Sequence, residues 1–201
     1  MNFPKGGFGM QIVGVILAGG ESRRFGTPKA FAKKEGKHFY TYSAEAVNPF
    51  ASKLVLVTNR KLEPLFEKEF TGEITRDHPS YEGQGPLAGI YTAMEKYPAD
   101  WYIVSPIDVP FIENNVIELL IKYTGSDADA VIPVVAGRKQ PLIALYHHRV
   151  KTIIKTKLDH GFRSVEKVLE ACKVHYLSMN DEKKFININS QDDYKQWIME
   201  E

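Results

Sequence analysis

Cysteine is nearly absent: the 201 residues contain one, Cys172. A lone thiol forms no intramolecular disulfide and no cysteine-based metal cluster. It ends the series Val165, Val168, Leu169, Cys172, whose helical spacing reads as core rather than as a reactive thiol. Excess charge is also absent. The formal net charge is +1, so nothing global draws the chain to nucleic acid or an anionic membrane, and any anion site must be local. No apolar run approaches the roughly 18 residues of a membrane span. The opening MNFPKGGFG lacks the apolar centre of a signal peptide. A cytoplasmic protein with no nucleic-acid or membrane partner is the expectation. Residues 1–10 read as a flexible lead-in to a single domain over residues 11–201. The six histidines show no metal-ligand spacing. Two phosphate-binding patterns are missing as well. No Gly-Lys-Ser/Thr ending makes a Walker A loop, and no G-x-G-x-x-G makes a dinucleotide fingerprint. A P-loop NTPase and a standard dehydrogenase both lose ground.

What is present is an ordinary globular composition, 43% hydrophobic and 25% charged, in a chain long enough for a sizeable core. Short apolar runs at residues 11–17, 53–58, 101–105 and 130–135 read as buried strands. Helical patterns fall between them, at 40–47, 62–70, 87–97 and 114–123. This alternation predicts a doubly wound, mostly parallel α/β sheet flanked by helices. The second half is less regular. Strands are expected at 141–146, 173–177 and 184–188, and helices near 147–156 and 164–172. A final helix starts at the Ser190 cap, with Asp193 three residues on and Tyr194, Trp197 and Ile198 turned inward.

The first strand runs straight into LAGGESRRFGTPK, residues 17–29. In an open parallel sheet, ligands bind beyond the carboxyl ends of strands. Gly19 and Gly20 let backbone approach a ligand closely. Backbone N–H groups there can cradle phosphate oxygens. Arg23, Arg24 and Lys29 supply the charge a triphosphate needs, arginine bidentately and lysine as a mobile point charge. The plainer reading is a glycine-rich strand-to-helix turn with solvated basic residues.

Other strand ends add polar groups. In WYIVSPIDVPF, Asp108 stands between Pro106 and Pro110 on a stiffened turn. A fixed carboxylate beside a phosphate loop suits Mg²⁺, which takes one or two carboxylates with phosphates and waters. Capping the next helix is the alternative. In DHPSYEGQGPLAG, Gly85 and Gly89 open one helix face either to a flat nucleobase or to close sheet packing. Asn59 ends the strand at 53–58 and suits a ribose, a base or a turn. Asn187 and Asn189 flank Ile188 and share a side if that piece is extended. They suit a polar second substrate, or turn chemistry before the Ser190 cap.

LAGG-x-x-x-R-x-G-x-x-K, an isolated Asp before GPLAG, D-x-P and N-x-N together resemble the molybdenum cofactor guanylyltransferases, within the glycosyltransferase-A-like nucleotidyltransferases. The resemblance covers residues 12–197. It implies that Leu17, Ala18 and Gly19 hold a guanine nucleotide and that Lys29 reaches its triphosphate. It also implies that Asn59 and Asp77 contact the nucleotide, Asp108 binds Mg²⁺, and Asn187 and Asn189 serve the molybdopterin side. Phe25, where the family commonly has Met, and Ser105-Pro106-Ile107 before Asp108 depart from the usual pattern. The reaction implied is transfer of GMP from GTP to molybdenum-bearing molybdopterin, with release of pyrophosphate. Lys29, Arg24 and Asp108 would carry it. Other proteins of cofactor biosynthesis, or the protein that accepts the cofactor, are the implied partners. A cytidylyltransferase on the same fold and a non-catalytic GTP-binding module are the rivals.

Overall fold

The computed structural model describes residues 9–20 and 25–199. The strands in chain order are β1 (Ile12–Leu17), β2 (Lys33–Lys34), β3 (Lys37–His38), β4 (Lys53–Thr58), β5 (Glu73–Arg76), β6 (Trp101–Pro106), β7 (Ala130–Val135), β8 (Arg138–Lys139), β9 (Ala144–His147) and β10 (Val174–Met179). The helices are α1 (Phe39–Val47), α2 (Glu63–Phe66), α3 (Pro86–Lys96), α4 (Asn114–Ile121), α5 (Val150–Asp159), α6 (Glu166–Leu169) and α7 (Gln191–Tyr194). One sheet runs in the order β10-β7-β9-β6-β1-β4-β5, with β8 paired to β7. A small hairpin joins β2 and β3.

The three central strands β6, β1 and β4 are parallel and almost wholly buried. Burial on both faces is why they read as continuous apolar runs rather than alternating ones. Side chains still alternate in space. Ile12, Ile16, Leu54, Leu56 and Ile103 pack with α1 and α4. Val13, Val15, Val55, Val57 and Val104 pack with α3, α5 and α6. Helices therefore cover both faces, as a doubly wound sheet requires. A third, smaller cluster of Phe25, Phe39, Phe111 and Ile188, joined by Tyr194, Trp197 and Ile198, sits beside the loops after β1 and β6.

The mostly parallel sheet is reversed at two strands, the short β8, antiparallel to β7, and β9. Strand β9 is antiparallel to both β6 and β7. The stretch 136–143 is shorter than the dozen or so residues that a parallel crossover needs, so the chain returns in the opposite sense. The strand expected at 141–146 starts later, at Ala144. The helices expected over 62–70 and 164–172 shrink to α2 and α6. No strand forms at 184–188. That piece is a 3-10 turn over Glu182–Phe185 followed by irregular chain, because no neighbouring strand is there to pair with it. Edge strand β5 carries only one buried residue, so no apolar run announces it. Cys172 is half-buried, with its thiol on the Val168 carbonyl at 3.2 Å, and burial pushes its pKa up to about 11.

Gly14 shows how tightly α1 and the turn after it lie on β1. A Cβ there would stand 2.4 Å from Val47 Cγ1, 2.8 Å from Leu54 Cδ1 and 3.3 Å from Ala51 Cβ. Overpacking of this kind costs about 1–3 kcal/mol. Gly14→Ala should lower the midpoint of urea unfolding without changing the slope; an unchanged midpoint would show that this contact yields freely.

Candidate active site

Strand order fixes where a site can form. From β1 the chain moves first toward β4 and β5, then returns to place β6 on the other side. The crevice between the ends of β1 and β6 is therefore a topological switch point, where open α/β sheets bind ligands. The loop after β1 and the turn after β6 both open there. Their register is close, with Leu17 opposite Pro106 and the Ile107 N–H donating to the Leu17 carbonyl at 3.2 Å. The buried Ser43 hydroxyl donates to the Pro106 carbonyl at 2.6 Å and braces the strand end. Sequence reading missed Ser43, and no local signal marks it.

Lys29 and Asp108 meet in this crevice. Lys29 Nζ lies 2.9 Å from Asp108 Oδ2 and 2.9 Å from Asn189 Oδ1. The side chains of Lys29 and Asp108 are only 12% and 20% exposed, so the pair is largely shielded from bulk water. The other carboxylate oxygen, Asp108 Oδ1, is buried and has no hydrogen-bond partner among the described residues. A buried, charged oxygen with nothing bonded to it is costly, and such groups call for an explanation. A divalent cation is the partner that such an oxygen fits. No cluster of three or more His, Cys, Asp or Glu that could hold a metal occurs among the described residues.

The start of the glycine loop is tied to the end of β4. Ala18 N–H donates to the Val57 carbonyl at 2.8 Å, and the Thr58 hydroxyl donates to the Ala18 carbonyl at 3.3 Å. Asn59 Nδ2 donates to the Gly19 carbonyl at 3.1 Å, while its Oδ1 accepts from the N–H groups of Lys61 and Leu62. Asn59 thus braces the loop and caps the next turn. Among the described residues, a Cβ at Gly20 would meet nothing within 4 Å, and one at Gly19 only Thr58 backbone at 4.0 Å. Arg23 and Arg24 lie outside the described residues.

Asp77 follows β5, and Gly89 lies on α3 beside it. A Cβ at Gly89 would come 2.8 Å from Leu17 Cδ2, 3.5 Å from Val57 Cγ1 and 3.7 Å from Asp77 Oδ1. The close approach at Gly89 is therefore helix against sheet, the second of the two alternatives its spacing left open. Gly85 takes φ +79° as the residue before α3, a left-handed conformation that favours glycine, and a Cβ there would meet the Arg163 carbonyl at 4.0 Å. Asn187 and Asn189 are both exposed on either side of buried Ile188. Only Asn189 reaches Lys29; Asn187 Nδ2 donates to the Phe185 carbonyl at 3.3 Å.

Burial drives the Asp77 carboxyl above the usual carboxylate range; the Gly83 N–H at 3.3 Å opposes the shift and the charge of Glu82 adds to it. Between the ordinary pKa and the raised one, the folded chain binds more protons than the unfolded chain. Asp77 therefore costs no stability below the ordinary value and its full cost above the raised one. Asp77→Asn should raise the unfolding midpoint at about pH 7 and leave it unchanged at about pH 3. Equal effects at both pH values would mean that charge burial is not the cause.

Residues 14–175 match the family described as the MobA-like NTP transferase domain. The chain is 38% identical to the probable molybdenum cofactor guanylyltransferase of Bacillus cereus (strain AH187), over 92% of this chain and 95% of that protein. The protein of the same description from Bacillus anthracis (strain CDC 684 / NRRL 3495) matches equally well, 38% identical over 92% and 95%. Among solved structures, molybdopterin-guanine dinucleotide biosynthesis protein A from Archaeoglobus fulgidus superimposes with a TM-score of 0.80 at 28% identity, covering 93% of this chain and 97% of that one. The 4-diphosphocytidyl-2C-methyl-D-erythritol synthase from Anaerococcus prevotii shares the fold, with a TM-score of 0.75 at 12% identity over 95% and 96%.

Proposed function

This chain belongs to the MobA-like NTP transferase family and is a nucleotidyltransferase, and from that premise we propose that it transfers GMP from GTP to molybdenum-bearing molybdopterin. The observation that carries this reading is the shielded Lys29–Asp108 pair at the switch point, with Asp108 Oδ1 left for a cation. The names of the bacillus relatives support the choice of substrates.

In this reading the terminal phosphate of molybdopterin attacks the α-phosphorus of GTP. A new P–O–P bond forms, the α–β bridging bond breaks, and pyrophosphate leaves with the bonding electrons. The attacking phosphate is already ionised, so no general base is required. What the protein supplies is position and charge. Gly19 and Gly20 present backbone without side chains to the nucleotide, and buried Ala18, bonded at both its N–H and its carbonyl, anchors them to the sheet. Gly85 opens the way to the base, and Asp77 accepts a hydrogen bond from base or ribose. Lys29 neutralises the triphosphate and the charge that builds on departing pyrophosphate. Asn189, already on Lys29, faces the second substrate with Asn187 beside it. Asp108 Oδ1 would hold Mg²⁺, and an ion bound there supplies Lewis-acid polarisation of the phosphate oxygens.

Lys29→Ala and Asp108→Asn should each lower turnover at least about tenfold, with circular dichroism unchanged. Near-normal turnover in both would remove the site. Base choice needs a separate measurement, because a cytidylyl synthase shares the fold. A nucleotide at about 100 times its dissociation constant stabilises by about 2.7 kcal/mol, which raises the midpoint of a chain this size by roughly 5–10 °C. The largest shift should come with GTP plus Mg²⁺. A larger shift with CTP would move the chain to the cytidylyl branch. Binding of GTP with no pyrophosphate released in the presence of molybdopterin would make it a non-catalytic module.

A further inference from the structure

Lys29 stands in a short stretch with little regular structure of its own. It begins a single 3-10 turn, Lys29–Phe31, preceded by Pro28 with no side-chain cap. A four-carbon side chain on so short a turn has many rotamers to lose. Asp108 holds its ammonium group, and further restraint comes from residues 189–194. Three side chains of the segment 189–194 bond at residues 25, 29 and 33. Gln191 Nε2 donates to the Phe25 carbonyl at 2.6 Å. Asn189 Oδ1 accepts from Lys29 at 2.9 Å. The Tyr194 hydroxyl donates to the Lys33 carbonyl at 2.6 Å. The Tyr194 ring also meets Phe25 edge-on, centroids 5.7 Å apart.

This segment is itself held firmly. Asp193 Oδ2 accepts from the N–H groups of Asn189 and Ser190, both at 2.8 Å, and Ser190 Oγ accepts from the Asp193 N–H at 3.1 Å. Burial opposes the Asp193 charge, but those donors outweigh it and hold the carboxyl below its usual range. Fully buried Ile188 then ties the segment to the other half of the site, its N–H donating to the Asp108 carbonyl at 2.8 Å. One strap thus touches the backbone of Asp108 and both flanks of Lys29.

We propose that Gln191 and Tyr194 are positioning residues that set the reach of Lys29 toward bound nucleotide; this rests on the function proposed above. Both donate to backbone carbonyls, so these bonds do not depend on the side chains of the residues that accept. Gln191→Leu and Tyr194→Phe delete those donors with little change of shape.

The test is a double-mutant cycle on nucleotide affinity, measured by calorimetry up to millimolar nucleotide with Mg²⁺ present. GTP and CTP are tried on the wild type, and the tighter one is used. The pair Gln191→Leu/Tyr194→Phe should weaken binding at least about fivefold when Lys29 is present. Added to Lys29→Ala, the same pair should change affinity less than about twofold, because the group it positions is gone. Its effect on the unfolding midpoint should be the same in both backgrounds. Equal losses of affinity in both backgrounds, or no loss in the first, would overturn the positioning role. A wild type that binds neither nucleotide would instead bring down the nucleotidyl reading, and this proposal with it.

Discussion

The ion pair of Lys29 and Asp108 is the constraint on which the architecture of the site depends. The two residues are far apart in sequence, and neither belongs to a regular strand or a long helix. They meet because β1 and β6 are parallel neighbours, so the loop leaving one strand opens beside the turn leaving the other. Coulombic attraction in a partly shielded crevice is stronger than it would be in water, yet the charges have also lost hydration. Asn189 compensates by accepting from the ammonium group. Asp108 has no such compensation at Oδ1. The core on both sheet faces makes this tolerable. It holds the strands in a register that packing dictates, and the polar groups at their ends accept the geometry that results.

Much of that core was legible in the sequence, and the reason is local. Residues 53–58 and 101–105 announce strands because a doubly covered sheet needs unbroken apolar runs. Asp108 stood out because Pro106 and Pro110 mark the end of a strand. The glycines after Leu17 stood out because no buried strand needs them. What escaped notice depends on length or distance. The reversal of β9 follows from a short connection, not from the residues of β9. Strand β5 pairs at an edge and has almost no apolar face to show. Asn189 could be matched to a substrate by resemblance, but its bond to Lys29 joins opposite ends of the chain. Gln191 and Ser43 had no signal, and Tyr194 was legible only as an inward-turned ring, since each hydrogen bond goes to a backbone carbonyl and any neighbouring sequence offers one of those.

Two carboxylates illustrate a tension between folding and chemistry. Asp77 is buried enough to resist ionisation, and its main protein contact is one long bond from Gly83. Asp108 keeps an unsatisfied oxygen. A sequence selected for stability alone would remove both features. Places where a fold tolerates such costs are where function is expected, because groups already stripped of water need not be stripped again when a ligand arrives. Cys172 is a useful contrast: it is also partly buried, but its thiol has a carbonyl to bond and its pKa rises away from reactivity.

The strap has a consequence for how the molecule comes into being. A chain is synthesised from its N-terminus, and domains begin to fold as they emerge. Strands β1, β4 and β6 can pair and bury their faces well before residue 188 is made. Lys29 and Asp108 are then already neighbours, but the donors at Gln191 and Tyr194 do not yet exist. Joining residues separated by 166 positions is also a distant closure, whose entropy must be overcome last. The order of synthesis thus separates two events: β1, β4 and β6 are made first, and the donors that fix the lysine are made only after residue 188.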